Sequence, residues 1–354
     1  MGVYWESVSA VGFYTQRSLE LLLFRRNFRF PNWKSSYNRA HERTGIYAVY
    51  MCSVPVKSLS RAQAHPTDYP LYGGVSGTRL PCPIYELSEG VVLRSTYAHV
   101  FAPYMLSLNR PTPETPFGEP WKPASGGLGF DIEFEIEIPM GDRPTNFTRI
   151  NTIWWIAALI RLHQAIGLRV PVVSSLSFSA IAGFEEEPVL WPVEMNPRQW
   201  IFDRTTNAVI EASTLDWLKV HWQSAATLMD TPTFNIAFQA FDQAMWSHPI
   251  GSALMMIWAS VEALIRPGDQ DITRTLASCI AAYLEPPGAQ RDRLFTTIRD
   301  LYHLRGYTAH AAEPPTDETI RRTFAVARLC FIRAFEQCAL PDAQLLTAKW
   351  KQKV

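Results

Sequence analysis

The sequence predicts an α+β chain: an N-terminal β-rich mixed domain at residues 1–206, a C-terminal all-α helical bundle at 213–340, and a tail at 341–354. Three observations lead there. One segment alternates strictly between apolar and acidic residues, the period of a half-buried strand. From about Ser213 to Cys338, helical patterns follow one another with no strand pattern among them. The length of 354 residues exceeds what one core usually needs, so two domains are expected.

Taken in order, Gly45 to Met51 is apolar and aromatic without alternation, which predicts a strand buried on both faces. Tyr72-Gly73-Gly74-Val75-Ser76-Gly77 lacks the Lys and Ser/Thr of a phosphate loop and is expected to be a turn. Phe130 to Ile138 is the alternating segment. Its apolar set faces a core, and Asp131, Glu133, Glu135 and Glu137 are expected in solvent. Thr152 to Leu168 predicts one buried helix with Arg161 and His163 near its wetter end. Val170 to Val173 and Val189 to Val193 each contain a proline and predict short or edge strands. The Trp-rich stretches, Trp154-Trp155 and Trp191 to Trp200, are expected to pack in cores.

Helices are predicted at 214–229, 234–246, 250–265, 271–285, 290–305 and 316–338. The breaks between them are Thr231-Pro232, Pro267-Gly268, Pro286-Pro287-Gly288 and Pro314-Pro315. Thr316-Asp317-Glu318-Thr319 is a helix start with acids in its first turn.

Composition narrows the function classes. Hydrophobic residues make up 47% and charged residues 19%, which places the chain among globular rather than disordered proteins. The formal net charge is zero, so no whole-chain field steers polyanions, and any nucleic-acid contact rests on a local patch. Five cysteines without a Cys-x-x-Cys pair predict a reduced, intracellular chain. No signal-like leader is visible, and the apolar runs Ile153 to Ile160 and Ala253 to Ala259 are too short to span a bilayer. A cytoplasmic protein without membrane contact is expected. Nothing in the sequence suggests a metal or cofactor.

The residues that carry chemistry lie near the C-terminus. Leu301-Tyr302-His303-Leu304-Arg305-Gly306-Tyr307-Thr308-Ala309-His310 places an arginine and a histidine with four residues between them. An apolar helix pattern with one acid, Glu262, precedes it at Ala253 to Ile265. Over residues 234–338 this arrangement resembles the HEPN superfamily, in particular its ApeA-like branch. The resemblance implies a HEPN-like helical bundle and a metal-independent ribonuclease. It also implies a homodimer whose motifs face one another, and a toxin-like role in defence against phage. Arg305 and His310 take the catalytic positions of the motif; Glu262 and Tyr302 take the supporting ones. The sequence departs from the family pattern at Gly306, where a polar residue is common, at Ala311 in place of glycine, and at Cys279 in place of an arginine.

The chemistry asks for few groups. The ribose 2′-OH loses a proton and attacks the adjacent phosphorus, leaving a 2′,3′-cyclic phosphate and a 5′-OH. A histidine near neutral pKa serves as base or acid, and an arginine fork holds the phosphate and the charge that builds on it. Residues five apart on an ideal helix sit about 140° apart, so Gly306 is expected to kink or end the helix and bring both groups to one cleft. Arg321 and Arg328, seven apart on the last long helix, are possible contacts for RNA phosphates, although a solvated face is the preferred reading. Two alternatives stay open. One is a catalytically inactive HEPN-like module binding RNA, nucleotide or protein. The other is a dimeric interaction scaffold.

Overall fold

Alternating apolar residues fix the middle of the sheet. The computed structural model describes residues 70–108, 121–141, 147–181, 183, 188–194, 208–247, 249–268, 271–310 and 314–352. The expected strand at Gly45 to Met51 lies outside them, as do Cys52 and Trp200. The six strands are β1 (Leu71–Ser76), β2 (Ile84–Glu86), β3 (Val92–Leu108), β4 (Trp121–Ile138), β5 (Arg169–Ser174) and β6 (Leu190–Pro192). They form one antiparallel sheet in the order β2-β3-β4-β1-β5-β6. With the helices that follow, the chain is α+β.

The chain divides into two units, Met1–Lys57 with Ala102–Leu128, and Ser58–Phe101 with Gly129–Val354. In the first unit the description covers the distal backbone of β3 and β4. The second unit contains everything discussed below. Its main hydrophobic cluster runs from Leu71 to Leu346, so sheet and helices share one core. The expected boundary at 206–213 therefore falls inside this unit.

Three expectations about the strands need correction. The Gly-Gly segment is not a turn but β1, paired antiparallel with β4 and β5. A Cβ at Gly73 would run into Ile153, and one at Gly74 into Ile132 and Phe178. Glycine there lets both faces of the strand be approached closely. Second, β5 is not an edge strand, because β6 pairs with its far side. Pro171 is tolerated because its carbonyl faces β6, accepting from Val193 N–H, and the N–H it lacks would point the same way just beyond the end of that strand. Third, the acids of β4 do not all face solvent. Glu135 is fully buried under the turn that follows β5, accepting from Ser177 Oγ at 2.8 Å and from Phe178 N–H at 2.7 Å. Burial raises its pKa. Phe134, Ile136 and Ile138 join the main core, while Phe130 and Ile132 form a smaller cluster with Val172 and Phe178.

The helices are α1 (Arg149–Gln164), α2 (Ala212–Ala226), α3 (Pro232–Ala244), α4 (Ile250–Ile265), α5 (Ile272–Leu284), α6 (Ala289–His310), α7 (Asp317–Gln337) and α8 (Ala343–Lys351). The start expected at Thr316 is capped, as are two others. Thr316 accepts from Thr319 N–H, Thr148 from Asn151 N–H and Asp342 from two amides. The segment expected as a tail thus carries α8, whose Leu346 is buried. No helix among the described residues is long and apolar enough to cross a membrane. Cys82, Cys279, Cys330 and Cys338 are free thiols.

α1 is buried almost all round, and its aromatics key the sheet to the bundle. Trp155 packs edge-on against Phe238 and Phe335 and donates to Trp222 O at 2.8 Å. Arg161 is not at a wet end. Its side chain is fully buried, with Nη1 3.0 Å from Glu194 and Nη2 3.1 Å from Asp242. Trp154 also donates to Asp242. A buried guanidinium is tolerated only with such partners.

Candidate functional site

Helical spacing assembles the site from two pairs. Trp258 and Glu262 are four apart on α4, and Tyr302 and Arg305 are three apart on α6, so each pair shares a face. The two faces meet. The Trp258 and Tyr302 rings pack perpendicular at 5.0 Å. Tyr302 donates its hydroxyl to Glu262 Oε1 at 2.8 Å, and Arg305 Nη2 lies 3.6 Å from the same oxygen. The guanidinium also sits over the Tyr302 ring, 5.4 Å from its centre. Burial, followed by the bond to Glu262, pushes the Tyr302 hydroxyl up to about 12, so it keeps its proton at neutral pH.

Arg305 is held but not saturated. Its side chain is 26% exposed and that of Glu262 30%. At 3.6 Å the ion pair is a Coulombic contact rather than a full hydrogen bond. Arg305 Nε is buried with no hydrogen-bond partner among the described residues. The guanidinium as a whole stays partly exposed with, among the described residues, only the 3.6 Å contact to Glu262 on its Nη groups, which leaves donors there for an anion. Leu304 and Tyr307, both exposed, flank it along α6.

The expected break at Gly306 does not occur. α6 runs unbroken from Ala289 to His310. An interior glycine costs a helix only about 1 kcal/mol. The last turn is held against α4, where the Thr308 methyl would lie 3.3 Å from a Cβ at Gly251. Arg305 and His310 therefore stay about 140° apart around the axis and about 7.5 Å apart along it. His310 is the last residue of the helix.

The two arginines expected on one face of α7 part company. Arg321 is exposed. Arg328 is partly buried and donates to Leu162 O at 2.6 Å and His163 O at 2.7 Å, closing the C-terminal end of α1. It is committed to the fold rather than displayed to a ligand. Sequence reasoning missed the burial of Arg161 and its partners Glu194 and Asp242. The signal for Arg161 was present, because it lies in an apolar run, Ile153 to Leu162, that offers no polar face. Among the described residues no group of His, Cys, Asp and Glu could hold a metal ion. No family model, curated protein or solved structure matches this chain.

Proposed function

We propose that the chain is a metal-independent endoribonuclease in which Arg305 holds the scissile phosphate and His310 moves the proton. The observation that carries this reading is the Glu262–Tyr302–Arg305 cluster. The supporting acid and tyrosine meet the arginine, fixing it while leaving donors free. In the reaction the 2′-OH gives up its proton, its oxygen bonds to phosphorus and the bond to the 5′ oxygen breaks. That oxygen leaves as a 5′-OH after taking a proton. An arginine serves best where negative charge builds on the phosphoryl oxygens. Because α6 is unbroken, positions 305 and 310 of one copy lie on different sides of its axis. The site is then completed by a second copy, with Leu304 and Tyr307 supplying apolar surface beside it.

The same unbroken helix favours a second reading, a module that binds RNA through Arg305 without cleaving it. Purified wild type, Arg305→Ala and His310→Ala incubated with total RNA and tRNA in EDTA separate the two. Cyclic-phosphate ends made by wild type and lost in both variants support the nuclease. RNA binding kept by His310→Ala, with no wild-type cleavage, supports the binding module. Cleavage unchanged in both variants overturns the assignment of the site.

A further inference from the structure

Far along α6 from Arg305, a second arginine sits in a different electrostatic setting. Arg291 is 5% exposed. Its Nη1 donates to Lys349 O at 3.1 Å and its Nη2 to Gln352 O at 2.9 Å, both neutral carbonyls at the end of α8. The guanidinium lies over the Trp350 ring, 5.1 Å from its centre, and that ring stacks on Phe295. Nε is buried without a hydrogen-bond partner among the described residues. No carboxylate among them forms an ion pair with Arg291. Arg161, equally buried, has two. A buried cation is normally balanced by a counter-charge, and no carboxylate among the described residues supplies one to Arg291.

Arg291 lines a groove of about 760 Å³ between α5, the start of α6 and α8. Two more cations, Arg274 and Lys351, line it with a single acid, Asp292. Arg274 and Lys351 are exposed and form no ion pair among the described residues. Three cations converging on one hollow repel each other, and an anion bound there relieves that cost. The first turn of α6 opens into the groove at Ala289 and adds backbone amides of the same sign. The opposing end of α8 is partly neutralised, because two of its carbonyls already accept from Arg291.

We propose that this groove binds the phosphate of a phosphorylated ligand, at a site separate from Arg305. Fourteen residues of helix place the two arginines about 21 Å apart, beyond the reach of one mononucleotide. The inference does not depend on the ribonuclease reading. Two sources present the same chemistry, a free mononucleotide and the 5′-phosphate end of an RNA strand.

Calorimetric titration of the full chain in phosphate-free buffer tests it. The probes are adenosine monophosphate, adenosine, and a short RNA with and without its 5′-phosphate. The expected result is saturable binding of a phosphate-bearing probe that exceeds its phosphate-free twin. Each of Arg274→Gln and Lys351→Gln should weaken it roughly tenfold, the loss of one charge-assisted contact. Both residues are exposed, so these variants keep the fold, and Arg305→Ala should keep the difference in affinity between each phosphorylated probe and its twin. Binding by the mononucleotide points to a small ligand; binding confined to the phosphorylated RNA points to a strand end. The proposal is overturned by absence of saturable binding, by equal affinity for each phosphorylated probe and its twin, by wild-type affinity in both groove variants, or by loss in Arg305→Ala of the difference between a phosphorylated probe and its twin.

Discussion

Gly306→Ala separates the stability of α6 from the geometry of its motif. Among the described residues, leaving aside the chain neighbours and the helix's own backbone, no atom lies within 4 Å of where a Cβ at Gly306 would stand, so the methyl group meets no clash there. Inside a helix, alanine is favoured over glycine by about 0.5–1 kcal/mol, mainly because the unfolded glycine has more freedom to lose. In a unit of this size the gain raises the unfolding midpoint by roughly 1–3 °C. Thermal and urea unfolding followed by helical circular dichroism would measure it, with the urea slope unchanged. A fall in stability would refute the reasoning, since it would mean that the backbone at 306 leaves the helical region. The variant also bears on function. If the motif works from an unbroken helix, cleavage persists in the stabilised protein. Rising stability with lost cleavage would show that catalysis needs a break at Gly306, and the two-copy arrangement would fall.

Three further outcomes are expected. Arg328→Gln should cost about 1–3 kcal/mol in urea unfolding, because the carbonyls of Leu162 and His163 lose a charged, partly buried donor, while RNA cleavage stays at the wild-type rate. Arg161→Met should cost about 3–5 kcal/mol, since it strands Glu194 and Asp242 without their shared cation; an unchanged urea midpoint would show that the cluster is not buried in solution. Glu135 has a raised folded pKa, so its contribution to stability is fully present below about 4.5 and is lost as pH rises through the folded value. Glu135→Gln should therefore flatten the stability–pH curve above 4.5, and a curve parallel to wild type there would count against the burial argument.

The helices were legible because their signals are local. Pro232, Pro267-Gly268, Pro286-Pro287-Gly288 and Pro314-Pro315 punctuate the pattern, and the observed bounds lie within a few residues of those expected except at α6. There Gly306 reads as a breaker, yet one glycine is a small penalty beside the packing of Thr308 on Gly251. The strands were less legible for a different reason. β1 reads as a turn because its glycines answer to Ile153 and Phe178, residues far away in the chain. β4 begins nine residues before its alternation, through Pro123, Gly126, Gly127 and Gly129, which hide the period. The pattern of β4 also could not say which acid would be covered, because the cover is a turn some forty residues later. At the candidate site, the spacings within α4 and α6 were visible, but the meeting of Glu262 with Tyr302 across forty residues was not.

What distinguishes the arginines of this unit is the company each keeps, and that sets how available each is to a ligand. Arg161 is held by two carboxylates at hydrogen-bond distance in a dry interior, so an arriving anion would have to displace both. Arg328 spends its donors on the end of α1. Arg305 has one acid at 3.6 Å, partly in water, where such a pair is worth about 1 kcal/mol or less. A phosphate can win that guanidinium from Glu262, and the acid then serves mainly to hold Tyr302 and keep the arginine in place beforehand. Arg291 has no acid partner among the described residues to displace, only neutral carbonyls that share its donors. Arg161 is therefore the least available of the four, Arg328 and Arg291 each give two donors to backbone carbonyls, and Arg305 has the weakest commitments. Partnership, set by residues tens of positions away, decides which cation is left to meet a phosphate.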